Sequence, residues 1–195
     1  MKATQIKGCI WVLTDPDGKL YDDVDTDMIF HNSHLHITDV EEMGQYALGN
    51  LEGWEDFAEK AQPGDIILAG KNFGAGSSRQ QAVDCFRALG IGAIVAESFG
   101  AIYKRNAINS GFPIVSLPGL TERLGLSLSK PGEFKTGAEL EVDFETGQLS
   151  LYGGEVLDDG RRSPTEPIQA QPFSQVQMDI FQAGNLFAYG KSLGG

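Results

Sequence analysis

The sequence predicts an α/β fold in which short parallel strands and flanking helices are followed by an antiparallel hairpin. Between residues 65 and 117, short apolar runs alternate with helical patterns, which is typical of parallel βαβ units. Over residues 139–144, apolar and acidic residues alternate strictly, which predicts a strand with one solvent-facing side. A length of 195 residues, of which 41% are hydrophobic and 22% charged, fits one globular domain over residues 1–195.

The first third of the chain predicts one strand, a long loop and two short helices. Residues 6–13, IKGCIWVL, form the strand, and the turn DPDG follows it. Residues 21–39 show no clear period, so we expect a long loop, with a mobile stretch over 25–39. Thr38 or Asp39 is placed to cap a helix through VEEMGQYAL, and WEDFAEKA predicts a further helical turn or two.

The middle of the chain predicts three buried strands and two helices. The strands lie at 65–70, 92–98 and 112–117. Amphipathic helices follow the first two strands and end at Gly90 and Gly111, because glycine is a favoured residue directly after a helix.

The last part of the chain predicts a hairpin, a loop and one helix. The hairpin turns at residues 145–147 and returns through a second strand with alternating leucines. Residues 157–172 have the composition of an exposed loop, and a final helix is expected over about 173–184.

Charge and cysteine content limit the possible partners. The net charge is −12, which argues against binding to nucleic acid or to an anionic membrane. We find neither the long apolar core of a signal peptide nor an apolar run of membrane-spanning length, so we expect a cytoplasmic protein. Cys9 and Cys85 both lie in apolar stretches and predict free buried thiols, which are too few for a four-iron cluster or a Cys₄ zinc site.

A glycine-rich stretch, GKNFGAGSSRQQA at residues 70–82, joins a predicted strand to a predicted helix. Its three glycines, Gly70, Gly74 and Gly76, indicate close backbone approach or unusual dihedral angles. Ser78 and Gln81 have the S-x-x-Q spacing of a capping box at the start of the helix.

The residues before this helix predict an anion site. Backbone N–H groups at a helix N-terminus lack helical partners, and the helix dipole favours negative charge there. Ser77 and Ser78 add hydroxyl groups, and Arg79 adds a planar fork suited to a carboxylate or a phosphate. The stretch lacks both the G-K-[ST] ending of a P-loop and the third glycine of G-x-G-x-x-G. The local pattern leaves open both an anion site and a simply capped helix with a surface arginine.

Three segments make the chain resemble the swivel domain of the aconitase superfamily, and more narrowly the small subunits of isopropylmalate isomerases and homoaconitases. These segments are DVDTDMI, NFGAGSSR and SFGAIYKRNAINSGFP, and the ending MDIFQAGNLFAYGK is similar to the family's last helix. The resemblance covers nearly the whole chain and implies a single swivelling β/β/α domain.

The resemblance also implies an activity. Enzymes of this family move a hydroxyl between adjacent carbons of a hydroxy di- or tricarboxylate by dehydration and rehydration. A large subunit with a [4Fe–4S] cluster is the expected partner, and this chain is expected to bind no metal or cofactor and to be inactive alone. The favoured reaction is conversion of 2-isopropylmalate to 3-isopropylmalate in leucine biosynthesis. Alternatives are a homoaconitase or other 2-hydroxyacid dehydratase small subunit, and an anion-binding regulatory module that kept the fold.

Motif positions carry the family's residue roles to this chain. Ser77 corresponds to the base that removes the carbon-bound proton, and Arg79, with Ser78 beside it, to the group that binds a substrate carboxylate. Leu35 and His36 stand where the family contacts the variable substituent of the substrate. A protonated His36 would hold a carboxylate there, whereas a neutral one beside Leu35 and Ile37 would accept an alkyl group.

Several residues receive plainer interpretations. The R-Q-Q that follows the serines departs from the family's R-E-H, although Gln81 can still cap the helix. The three histidines of the loop are interpreted as solvated or substrate-facing rather than as metal ligands. Asp25 and Asp27 are interpreted as Asx caps, and Arg105 and Asn106 as packing and hydrogen-bonding residues.

Overall fold

The first strand organises the sheet. A computed structural model describes residues 1–126, 138–156 and 162–194, whose strands form one eight-stranded sheet. In β1 (Gln5–Val12), residues 5–9 pair antiparallel with β5 (Glu139–Asp143). Residues 10–12 pair parallel with β2 (Ile66–Ala69). One strand therefore joins a parallel half of the sheet to an antiparallel half.

The parallel half confirms the predicted βαβ arrangement. Strands β3 (Ala93–Ala96) and β4 (Ile114–Ser116) continue from β2 in parallel, in the order β4-β3-β2-β1. The eight helices of the described residues are α1 (Thr26–Ile29), α2 (Val40–Met43), α3 (Phe57–Lys60), α4 (Gln81–Ala88), α5 (Ala101–Asn109), α6 (Leu120–Arg123), α7 (Gln175–Ala183) and α8 (Leu186–Leu193). Helices α4 and α5 are the crossovers from β2 to β3 and from β3 to β4, so the glycine stretch lies at the carboxyl end of β2.

The antiparallel half confirms the hairpin and corrects the loop predicted after it. Strand β6 (Gln148–Val156) returns beside β5, and Leu140, Val142 and Phe144 are buried as their alternation predicts. Two short strands, β7 (Arg162–Pro164) and β8 (Ile168–Gln169), pair with β6 where an exposed loop was expected. Strands of two or three residues are too short to show an alternation. Residues 157–161 of that prediction lie outside the described residues.

Alternate residues of the strands face two apolar cores. Trp11, Ile67 and Ile94 lie in the core under α1 to α5. Their sequence neighbours, including Ile10 and Ile66, lie in the core on the opposite face with the hairpin and part of α7. Burial on both faces explains why these strands appear in the sequence as continuous apolar runs.

The stretch predicted as a long loop contains regular structure. Helix α1 begins after Asp25, whose carboxylate accepts hydrogen bonds from the N–H groups of Asp27 and Met28 at 2.8 Å. A 3₁₀ turn, Asn32–His34, follows. Polar caps rather than a periodic pattern of apolar residues stabilise these turns, so the sequence pattern did not predict them. The bonds of Asp25 confirm it as an Asx cap.

The flanking helices largely confirm their predictions, with one correction at the C-terminus. Asp39 caps α2 by accepting from the N–H of Glu41 at 3.0 Å. The final helix ends at Gly184, which has a φ of 97°, and a second helix, α8, starts after Asn185. The dipeptide Gly184-Asn185 indicates this boundary between two helices in the sequence, since glycine ends helices and asparagine caps them. None of the described helices is long and apolar enough to cross a membrane.

Candidate functional site

The glycine loop (residues 70–80) is fixed by backbone bonds to neighbouring segments. Phe73 is fully buried, and its N–H donates to the carbonyl of Ser98 at 3.0 Å. The N–H of Gly74 donates to the carbonyl of Val24 at 2.7 Å, and the N–H of Thr26 donates to the carbonyl of Ala75 at 2.9 Å. The loop is therefore held between the segment after β3 and the start of α1.

Gly74 and Gly76 show two different reasons why this loop requires glycine. At Gly74, with a φ of 77°, an added Cβ would lie 2.2 Å from the ring of Tyr103, which is buried. Gly76 has room for a Cβ, but its φ of 91° disfavours any L-residue. Both causes that the sequence suggested, close approach and unusual dihedral angles, are confirmed.

A row of backbone donors follows the glycines. Among the described residues, no acceptor bonds the N–H groups of residues 76–81, up to the first residue of α4. Free N–H groups ahead of a helix favour a bound anion through their own dipoles and through that of the helix. The arrangement is compatible with the amide-lined anion site that the sequence predicts, and that site stays a prediction.

Ser77 lies in the middle of this row. Its side chain is exposed, and its carbonyl accepts a hydrogen bond from the hydroxyl of Thr26 at 3.1 Å. No described residue bonds the Ser77 hydroxyl itself. The backbone is thus anchored while the hydroxyl stays available to a ligand.

Ser78 does not form the predicted capping box. Helix α4 starts at Gln81, its N-cap is Gln80, and no side chain bonds the N-terminal N–H groups of the helix. The Oγ of Ser78 instead accepts from the Nδ2 of Asn106 on α5 at 3.2 Å. The S-x-x-Q spacing was misleading because the chain makes one further turn before the helix begins.

Arg79 is already paired with an acidic residue of this chain. Its Nη1 donates to the carboxylate of Asp27 and, at 3.2 Å, to the carbonyl of Phe30. The hydrogen bond from Arg79 holds the pKa of Asp27 below its usual value, and the N–H of Asn32 contributes to the same shift. Both bonds from Arg79 use one nitrogen, which leaves the rest of the guanidinium fork for a ligand.

The four positions from His34 to Ile37 face different surroundings. Leu35 and His36 are exposed, and the Nδ1 of His36 donates to the carbonyl of Ser33 at 2.9 Å. Ile37 is buried in the core, and the expectation that it helps to accept an alkyl group stays a prediction. No hydrogen bond among the described residues joins Leu35 or His36 to residues 77–79.

His34 packs beside a cavity of the same loop. Its ring stacks on Tyr46, with ring centroids 4.0 Å apart, and burial lowers the pKa of His34, as do the charges of His31 and His36. A cavity of about 260 Å³ lies next to this stack. Its lining residues are His31, His34, Gln45, Tyr46, Gly49 and Asn50.

The described residues offer no group of three or more histidines, cysteines or acidic residues that could hold a metal ion. Both cysteines are free. Cys85 is fully buried, which raises the pKa of its thiol far above the usual value, whereas Cys9 is half-buried. A metal cluster therefore finds no suitable ligand set among these residues.

Two site residues were not recognised from the sequence. Asp27 was interpreted as a turn-forming residue, and Asn106 as a packing and hydrogen-bonding residue without a named partner. Asp27 lies 52 positions from Arg79, and Asn106 lies 28 positions from Ser78. Asp27 lies within DTD and Asn106 within RNAIN, and this position inside the family-like segments was their signal in the sequence. Only the fold shows what they contact.

Known proteins share this fold and sequence over nearly the full chain. The family model described as the aconitase C-terminal domain matches residues 27–118. An isopropylmalate/citramalate isomerase small subunit of Methanocaldococcus jannaschii is 37% identical over 94% of this chain and 92% of its own. A 3-isopropylmalate dehydratase small subunit of Saccharolobus islandicus is 35% identical over 93% of this chain and 96% of its own.

A solved structure agrees with these relatives. The crystal structure of 3-isopropylmalate dehydratase from Methanocaldococcus jannaschii superposes with a TM-score of 0.72 at 32% identity. The match covers 97% of this chain and 95% of that one. Similarity in sequence and in fold along almost the entire length leads to one conclusion: the chain belongs to the family of isopropylmalate isomerase small subunits within the aconitase superfamily.

Proposed function

We propose that this chain is the small subunit of a cytoplasmic hydro-lyase that converts 2-isopropylmalate to 3-isopropylmalate by dehydration and rehydration, in leucine biosynthesis. One observation carries the proposal: the N–H groups of residues 76–81 have no acceptor among the described residues, and they flank Ser77, whose hydroxyl is also available. Relatives named as isopropylmalate isomerase or dehydratase small subunits support it, because they match almost the whole chain.

Ser77 is the proposed base that removes the carbon-bound proton of the substrate. A serine hydroxyl is a weak acid, so its alkoxide needs strong positive potential and protection from water. The free N–H groups, the N-terminus of α4 and the nearby guanidinium of Arg79 supply positive potential. Ser77 is exposed in this chain, so protection from water has to come from a partner that covers the loop.

Arg79 is the proposed ligand of a substrate carboxylate. Asp27 and the carbonyl of Phe30 occupy its Nη1 and so fix the plane of the guanidinium. The remaining N–H groups of the fork are suited to a carboxylate, which guanidinium binds in two parallel hydrogen bonds. Ser78, which lies between Ser77 and Arg79, adds a hydroxyl to the same surface.

A large subunit is the proposed partner. Its [4Fe–4S] cluster would supply Lewis-acid chemistry for the leaving hydroxyl, because this chain's described residues offer no ligand set for such a cluster. The role left to this chain is to bind the carboxylate, to hold the base and to discriminate between substrates.

Leu35 and His36 are the proposed contacts to the variable substituent. Leu35 offers an exposed apolar side chain. His36 commits Nδ1–H to the carbonyl of Ser33, so its Nε2 faces outward. An alkyl substituent such as that of isopropylmalate fits Leu35, whereas a third carboxylate, as in homocitrate, would require a charged His36.

Reconstitution with the large subunit tests the proposal. The two chains are co-expressed, the cluster is assembled anaerobically, and turnover is measured with 2-isopropylmalate, citramalate and homocitrate. We expect the highest kcat/KM with 2-isopropylmalate. Binding of these acids without turnover would instead favour the non-enzymatic anion-binding module, and preference for homocitrate would favour a homoaconitase.

A further inference from the structure

We infer that Gln80 is a positioning residue for the proposed reaction. Its side-chain amide bonds the C-terminal end of α5 and so connects that helix to the turn formed by residues 77–79. This connection keeps Asn106 bonded to Ser78. The inference rests on the proposed function of this loop. It assigns a role to the side chain of Gln80, which itself neither binds nor reacts with the substrate.

Two hydrogen bonds from the amide nitrogen of Gln80 form this connection. The Nε2 of Gln80 donates to the Oγ of Ser110 at 2.7 Å and to the Oδ1 of Asp84 at 3.1 Å. Ser110 follows α5 directly, and Asp84 lies in the first turn of α4. The residue next to Arg79 is thereby bonded to both helices that flank the site.

Only a side chain with two donors satisfies both partners. The hydroxyl proton of Ser110 already donates to the carbonyl of Asn106 at 2.8 Å, so Ser110 can only accept from Gln80. Asp84 is a carboxylate that also accepts from Arg87 at 2.8 Å. A glutamate at position 80 would have no proton for either partner and would face Asp84 with a like charge.

The hydrogen bonds of Gln80 are linked to Ser78 in the glycine loop through Asn106. Ser110 bonds the carbonyl of Asn106, and the Nδ2 of Asn106 donates to the Oγ of Ser78 at 3.2 Å. Asn106 is therefore held at its backbone by Ser110 and holds Ser78 with its side chain. Loss of the donors of Gln80 frees Ser110 and loosens this chain of bonds next to Ser77.

The effect on folding is expected to be small. Gln80 is exposed, while Asp84 and Ser110 keep other hydrogen bonds when the amide is removed. The variant Gln80→Met keeps the length of the side chain and removes both donors. Gln62→Met is the matched control, because Gln62 is an exposed glutamine outside the glycine loop and its side chain bonds no other described residue.

Steady-state kinetics of the reconstituted complex test the inference. For Gln80→Met we expect kcat to fall on the order of tenfold, because a small misplacement of reacting groups is costly, with KM changed by less than about threefold. Gln80→Glu is expected to lose more activity than Gln80→Met, and Gln62→Met is expected to keep the activity of the wild type. Thermal melting and the amount of assembled complex are measured for each variant and are expected to stay close to the wild type.

A double-mutant cycle separates positioning from a general structural effect. If Gln80 acts through Asn106, Gln80→Met causes little further loss in an Asn106→Ala background. The inference would be overturned if the losses in kcat of the two single variants multiply in the double variant. It would also be overturned if Gln80→Met keeps a kcat within about twofold of the wild type.

A second readout does not depend on activity. In the ¹⁵N-labelled full chain, Gln80→Met is expected to shift the side-chain amide signals of Asn106, whereas Gln62→Met is expected to leave them in place. Unshifted Asn106 signals in Gln80→Met would contradict the positioning role. If the wild-type complex shows no turnover at all, the proposed function fails, and the amide signals still decide whether Gln80 positions Asn106.

Discussion

Asp27 connects the two motifs of the site at the scale of single residues. Its carboxylate accepts from Arg79 and from the N–H of Asn32, the latter at 2.9 Å. These bonds lower the pKa of Asp27 below 3.8, its ordinary value. A carboxyl with a lowered pKa in the folded state contributes stability above its ordinary pKa and loses that stability as the pH falls through the folded-state pKa.

The variant Asp27→Asn tests this pair. At pH 7 we expect a lower free energy of unfolding than in the wild type, and we expect the difference to shrink as the pH falls below 3.8. Urea unfolding at a series of pH values measures it. Asp17→Asn, in an exposed turn, serves as control. A wild-type advantage that does not change with pH would contradict the assignment.

The pH dependence of stability that His34 causes has the same sign as that of Asp27, but it lies at a higher pH. Burial lowers the pKa of His34 below 6.5, so the unfolded chain takes up this proton at a higher pH than the folded chain. Stability is therefore expected to fall as the pH drops through 6.5 and to level off below the folded-state pKa.

The variant His34→Phe keeps a ring against Tyr46 and removes the titrating group. We expect its free energy of unfolding to depend less on pH than that of the wild type between about pH 8 and 5. Urea unfolding at both ends of that range gives the comparison. Equal pH dependence in the two proteins would show that His34 is not the source.

At the scale of elements, the glycine loop depends on its contact with α5. Gly74→Ala places a methyl group against the buried ring of Tyr103 at a positive φ, and we expect a loss of about 3 kcal/mol in stability. Gly190→Ala is the control, because a Cβ at Gly190 meets nothing within 4 Å and alanine favours the helix. Chemical denaturation measures both, and a Gly74→Ala variant as stable as the wild type would contradict the close contact.

The elements that the sequence predicted are those with apolar periodicity. Strands β2 to β4, helices α4 and α5 and the hairpin have this signal and were predicted close to their observed bounds. Helix α1 and strands β7 and β8 lack it, because caps and pairing partners form them. Within the site, Ser77, Ser78 and Arg79 are consecutive and were predicted together, whereas the pairing of Arg79 with Asp27 depends on the fold.

At the scale of the whole molecule, the proposed function requires a partner. The face that carries Ser77 is exposed, and the described residues hold no candidate metal site. We therefore expect the chain purified alone to contain no iron and to show no turnover. Iron and turnover are expected only in the complex with the large subunit. Metal analysis and an activity assay of each preparation check this. Turnover by the isolated chain would contradict the account.

The turnover of 2-isopropylmalate by the reconstituted complex carrying Ser77→Ala tests the central claim most directly. If the alkoxide of Ser77 accepts the substrate proton and becomes the hydroxyl, Ser77→Ala lowers kcat on the order of 10³-fold while substrate binding and assembly persist. Ser192→Ala, which removes an exposed serine of α8, is expected to leave kcat unchanged. A Ser77→Ala complex that keeps its kcat within about tenfold of the wild type would contradict the claim that Ser77 is the base.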